Sequence, residues 1–197
     1  MSEQSAAKIL RRPRWLAITA WILGAILLIN IVLGIWWSRQ PEVFWVNRNV
    51  DDNRVVVGYA TTDTLIRVAE AMLDKPGGYL SNDVMPPGVL LDNTPNWELG
   101  VLQQVRDLAR VIRNDYSRSQ SQSKEDPDVR EGEQAFFIAN TSWIFPKAES
   151  EYRRGIEGFE RYRDRLSDDD DRDAQFYARA DNLREWLAQV EKRLGSL

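Results

Sequence analysis

Hydrophobic and polar positions along this chain follow two regimes. From Trp15 to Trp37 the residues WLAITAWILGAILLINIVLGIWW run uncharged for 23 positions, whereas every later apolar stripe is broken by charges. A helix over that run rises about 34 Å, enough to cross a hydrocarbon core of about 30 Å with some tilt. Trp15 at one end and Trp36 and Trp37 at the other place amphipathic rings at both interfaces. A cleaved leader would be shorter and would end in small residues. This run ends in Trp-Trp-Ser-Arg-Gln-Pro, so an uncleaved transmembrane helix is expected over residues 15–37. Asn30 and the Ala20/Gly24 pair inside it offer a polar and a small-residue contact through which two such helices could associate.

Downstream the period changes to that of amphipathic helices. Residues 38–60 hold two short β-branched stretches around a polar segment and fit either a short hairpin or an extended linker. Thr61-Thr62-Asp63 offers caps for a helix over residues 64–74, with Leu65, Val68, Ala69, Met72 and Leu73 on one face. Lys75-Pro76-Gly77-Gly78 ends it. The stretch from Gly77 to Asn96 combines glycines and prolines with many apolar residues and reads as a long ordered loop packed on the helices. Thr94 then caps a helix with Pro95 at its first position, and Trp97, Val101, Val105, Leu108, Ile112 and Tyr116 form its stripe.

A polar tract over residues 117–124 separates this helix from one expected from Asp126-Pro127 to about Ile144. Pro146 breaks that helix, and Tyr152, Ile156, Phe159, Tyr162 and Leu166 line the next. A last helix follows Asp171 or Asp173, with Phe176, Tyr177, Ala180, Leu183, Leu187, Val190 and Leu194 as its stripe. The aromatic residues Trp97, Phe136, Phe137, Trp143, Phe145, Phe159 and Tyr162 are expected in the core. The fold class is mainly α: one N-terminal transmembrane helix, then an extracytoplasmic α-helical bundle with a long ordered Gly/Pro-rich loop. The divisions are a basic cytoplasmic tail (1–14), the transmembrane helix (15–37), a linker or hairpin (38–60) and a periplasmic helical domain (61–197).

Charge sets the direction. Lys8, Arg11, Arg12 and Arg14 precede the span against Glu3 alone, so the positive-inside rule keeps the N-terminus cytoplasmic. The chain carries a net charge of −4, with no basic stripe interleaved with aromatics, which speaks against nucleic acid as a partner. It has no cysteine and no histidine, which removes disulfides, thiolate and Ser-His chemistry, and His- or Cys-ligated metals. No cofactor is expected.

The block GGYLSNDVMPPGVLLDNTPNWELGVLQQVRDLARVIRNDYSRSQSQSKEDPD resembles a proteobacterial family of single-pass inner-membrane proteins, domain of unknown function two-three-three-three. The resemblance runs over essentially the whole chain and is most specific from Gly77 to Trp97. It implies a Gram-negative inner-membrane protein with a helical periplasmic domain and no assigned activity. Members of that family extend past the position of Leu197, so the resemblance also implies a C-terminally shortened chain. The last helix, from Asp173, would then present an apolar face without its cover.

Candidate chemistry is confined to a few polar groups. Tyr79, Ser81, Asn82 and Asp83 share the Gly-Gly-Tyr-Leu-Ser-Asn-Asp turn and could present hydroxyl, amide and carboxylate to a glycan, a peptide or a partner, or could simply cap the turn. Asp83, Asp92 and Glu98 are the carboxylates suited to general acid–base work, which in glycoside cleavage needs two of them about 5–9.5 Å apart. Asp168, Asp169, Asp170 and Asp171 form an acidic run that could attract a divalent cation but lacks the glycine and distal glutamate of an EF-hand loop. The leading functional expectation is a non-enzymatic envelope scaffold or accessory subunit. It would touch lipid through residues 15–37, bind other envelope or membrane proteins and in one variant bind itself. The alternatives are a carboxylate-dependent peptidoglycan hydrolase or lytic enzyme, and a periplasmic ligand sensor acting through a partner.

Overall fold

The computed structural model describes residues 14–46, 54–118, 124–168 and 173–195. Six α-helices follow one another: α1 (Arg14–Trp37), α2 (Tyr59–Asp74), α3 (Asn93–Val111), α4 (Pro127–Phe136), α5 (Ala148–Ser167) and α6 (Ala180–Leu194). The fold is mainly helical, as the apolar periodicity predicts, and no strand occurs among the described residues. Within the expected linker or hairpin of residues 38–60, residues 41–46 are neither helix nor strand, and residues 47–53 lie outside the described ones.

Helices α2 to α5 close a ring in which each packs on its sequence neighbour and α5 returns to α2. Cross-contacts fix the directions. Asp63 and Asp74 of α2 pair with Arg163 and Arg153 of α5. Asp128 of α4 pairs with Arg161 of α5. Arg106 of α3 donates to the carbonyl of Phe136, the last residue of α4, while Arg113 just past α3 pairs with Glu125 just ahead of α4. The bundle therefore runs up-down-up-down. Its core holds Leu65, Ile66 and Met72 from α2, Leu102 and Val105 from α3, Val129 and Phe136 from α4, and Tyr152, Phe159 and Tyr162 from α5. Glycines bring α4 and α5 unusually close: a Cβ at Gly158 would stand 2.9 Å from the Asp128 carbonyl oxygen and 3.1 Å from Gly132 Cα.

Several boundaries differ from the sequence expectation for identifiable reasons. α2 starts at Tyr59, after Gly58 in a left-handed conformation against the Phe176 ring. The expected capping residues lie inside the helix: Thr62 donates back to Gly58 O, and Asp63 is buried between Arg67 and Arg163. α3 starts at Asn93 behind Asp92, which makes no side-chain cap, so Pro95 occupies the third helical position, still among the four whose N–H has no helical partner. Of the expected α3 stripe, Val105, Ile112 and Tyr116 are buried and Val101 and Leu108 pack partly buried on the core; Glu98, Leu102 and Ala109 share that inner face, and Trp97 is left exposed. α3 ends in a π turn over Ile112–Tyr116.

α4 stops at Phe136, well before Ile144. Arg106 takes the Phe136 and Ile138 carbonyls, and the Tyr152 and Tyr79 hydroxyls take those of Ile138 and Asn140, so the chain finds partners outside a helix. α6 begins only at Ala180. Residues 174–179 are neither helix nor strand; Tyr177 N donates to Tyr116 O, and Phe176 stacks on Tyr116 at 4.6 Å. Of the aromatics expected in the core, Phe136, Phe159 and Tyr162 are buried. Trp143 and Phe145 stand exposed, and Phe137 lies under the guanidinium groups of Arg106 and Arg110.

The candidate loop between α2 and α3

The buried anchor of the 77–92 loop is an ion pair that neither local sequence context announces. Lys75 closes α2 and Glu98 sits in α3; both side chains are all but inaccessible to solvent, and their charged atoms are in direct contact. Lys75 Nζ also donates to the Gly78 carbonyl. Glu98 Oε1 accepts from Leu80 N at 2.8 Å, and Oε2 accepts from Ser81 N at 2.7 Å and from Ser81 Oγ at 2.5 Å. Every charge and lone-pair direction here has a partner, which is the condition for burying an ion pair without a large penalty. Glu98 thus acts as a false helix start: its carboxylate takes the loop amides that no backbone carbonyl reaches.

The rest of the turn is clamped to the α4–α5 connection. Tyr79 Oη donates to Asn140 O at 3.2 Å, its ring edge-on to Tyr152. Asn82 Nδ2 donates to Ser142 O at 2.9 Å and to Glu149 Oε2 at 2.7 Å. Burial, with Tyr152 beside it, holds the Tyr79 hydroxyl far above the ordinary tyrosine range. Asp83 packs so closely on Gly88 that a Cβ there would collide with its carboxylate. Burial, then Glu149 and Glu98, raise the Asp83 carboxyl above the usual carboxylate range against Lys147 and Lys75.

Of the residues singled out in the sequence, Tyr79, Ser81, Asn82 and Glu98 therefore come together, and three of them spend their polar atoms on internal bonds while Glu98 gathers the loop. Asp83 lies at the edge of this cluster. Asp92 stands apart, exposed ahead of α3. Asp168 follows α5 directly; Asp169, Asp170 and Asp171 lie outside the described residues. Asp173 accepts from Arg165, which also holds Asp126 and Asp128. No set of three acidic side chains gathers as a metal site among the described residues. Lys75 and Arg165 are the residues sequence reasoning passed over. Their partners are distant in the chain, and a lone cation at a helix end carries no signal of its own.

The family model described as "Uncharacterized protein conserved in bacteria (DUF2333)" matches residues 10–197. The chain belongs to this family. Its function is not known. No curated protein and no solved structure matches the chain. Within the DUF2333 chain, α1 is the one described helix long and apolar enough to cross a membrane.

Proposed function

We propose that this DUF2333 protein is a non-enzymatic, single-pass inner-membrane scaffold or accessory subunit, with its helical domain in the periplasm and other envelope proteins as its partners. The observation that carries this reading is the open face of α6. Leu183, Leu187 and Leu194 are each half exposed or more, and no residue of the helix is buried. Polar ties hold α6 alongside α3: Asn182 Nδ2 donates to Asp115 O, and Arg193 pairs with Asp107. A helix fixed through Trp186, Asn182 and Arg193 leaves its leucine stripe for an amphipathic helix of a partner, which would read it at i, i+4 and i+11. The basic N-terminal tail supports the orientation.

A photo-crosslinking amino acid at position 187, introduced in the native membrane, tests this. The expected result is one stoichiometric envelope protein, captured at position 187 and lost in a Leu183→Asp variant that keeps its helical circular dichroism. Equal capture with and without Leu183→Asp, or capture of nothing, would overturn it.

A further inference from the structure

The end of the bundle next to α1 carries a second exposed apolar surface, distinct from the α6 face. Residues 84–91, Val-Met-Pro-Pro-Gly-Val-Leu-Leu, contain no charged and no hydrogen-bonding side chain. Pro86, Pro87 and Gly88 are ordinary turn residues, but the Asn, Asp and Ser of a solvated turn are replaced here by Val84, Met85, Val89, Leu90 and Leu91. Met85 is 72% exposed and Leu90 73%. In the neighbouring α4–α5 turn, Trp143 and Ile144 are more than half exposed and Phe145 is 94% exposed. The Asn82–Ser142 bond ties the two turns together, so they point from the same end of the bundle.

α1 fixes what lies at that end. Pro87 and Leu91 pack on Gly34, lying 3.8 and 3.9 Å from where its Cβ would be, and Gly77 abuts Trp37. Gly34 is about 4.5 Å inside the interfacial Trp37 along a helix axis. The groove shared by Leu90, Leu91 and α1 extends along Ile35 and Ile31 to Leu27, about 15 Å from Trp37. The 84–91 turn therefore sits beside the apolar length of α1, below the tryptophan belt, at the depth of about 5–10 Å that interfacial apolar segments reach. An apolar surface continuous with a membrane span, at the same level, has acyl chains as its neighbour.

We propose that the 84–91 and Trp143–Phe145 turns insert side by side into the leaflet from which α1 emerges, making the bundle a membrane-seated body with two apolar contacts beyond its anchor. This rests on the reading that α1 spans the bilayer. Lys147, exposed at the edge of the second turn and paired with Glu149, would then face the phosphate headgroups.

The chain has no cysteine, so single-cysteine variants of the full-length protein report depth cleanly. Met85→Cys, Leu90→Cys and Phe145→Cys would carry an environment-sensitive NBD label in phosphatidylethanolamine/phosphatidylglycerol vesicles with doxyl-labelled acyl chains. Leu28→Cys in α1 and Arg130→Cys at the far end of α4 serve as references. The expected result is blue-shifted emission at the three turn positions, quenching by the doxyl chains, and several-fold weaker quenching by aqueous iodide than at position 130. Iodide access equal to position 130, with position 28 still shielded, would overturn the insertion and leave the span intact. Iodide access at position 28 as well would remove both. Shielding without doxyl quenching that grows with protein density would put a second copy in place of lipid and overturn the proposal.

Discussion

α5 and α6 carry the same alternation of apolar and charged residues, yet they occupy opposite environments. α5 buries Tyr152, Ile156, Phe159 and Tyr162 in the bundle core; α6 buries none of its residues. The difference lies in the small residues between the apolar ones. Gly155 and Gly158 let α5 meet Gly132 and the Phe136 ring of α4 at backbone distance. α6 has no glycine before its end and leans on the bundle through the partly buried Trp186 and its polar ties. An apolar stripe says that a helix needs a partner. The residues that shorten the approach say whether that partner lies within the same domain.

The largest effect should come from removing the contact that distinguishes α5. Phe159→Ala leaves a void between Phe136 and Gly132 and should cost about 3–5 kcal/mol in chemical denaturation. Leu187→Ala, on the open face of α6, should stay within about 0.5 kcal/mol. Equal losses would show that α6 is no less integral than α5.

Next comes the buried ion pair. Glu98→Gln strands the Lys75 ammonium and weakens the hold on the Leu80 and Ser81 amides, a loss of about 3–5 kcal/mol. The double variant Lys75→Met with Glu98→Gln should recover part of it, because no uncompensated charge then remains. A Gly158→Ala variant sharpens the small-residue argument itself: its Cβ meets the Asp128 carbonyl and Gly132, at a cost of about 1–3 kcal/mol.

The smallest effect is electrostatic. Because the folded state raises the Asp83 carboxyl, its contribution to stability is full below its unfolded pKa and is lost as pH rises through the folded one. At neutral pH Asp83→Asn should therefore stabilise slightly, by about 0.5 kcal/mol at most for a partly exposed group. The gain should vanish in thermal melts taken in acid.

How much of this was legible in the chain depends on how local each cause is. The α1 run, the core faces of α2 and α5, and the Asp126 cap, whose carboxylate accepts from Asp128 N and Val129 N, follow from neighbours in sequence. The early end of α4 does not, since it is drawn out by Arg106, Tyr79 and Tyr152 from other elements. The place of Glu98 on the inner face of α3 has the same origin: only Lys75, folded against it, makes that burial tolerable. In the 77–91 loop the apolar residues divide: Tyr79 and Leu80 join the buried set, while Met85 and Leu90 face outward, a split that composition alone does not contain.

The Glu98 clamp also has a consequence in time. Leu80 and Ser81 donate their amides to a carboxylate that is itself buried and paired with Lys75 between α2 and α3. Their exchange with deuterium should then follow the rare opening of the whole bundle, although both residues belong to a loop, where amides usually exchange first.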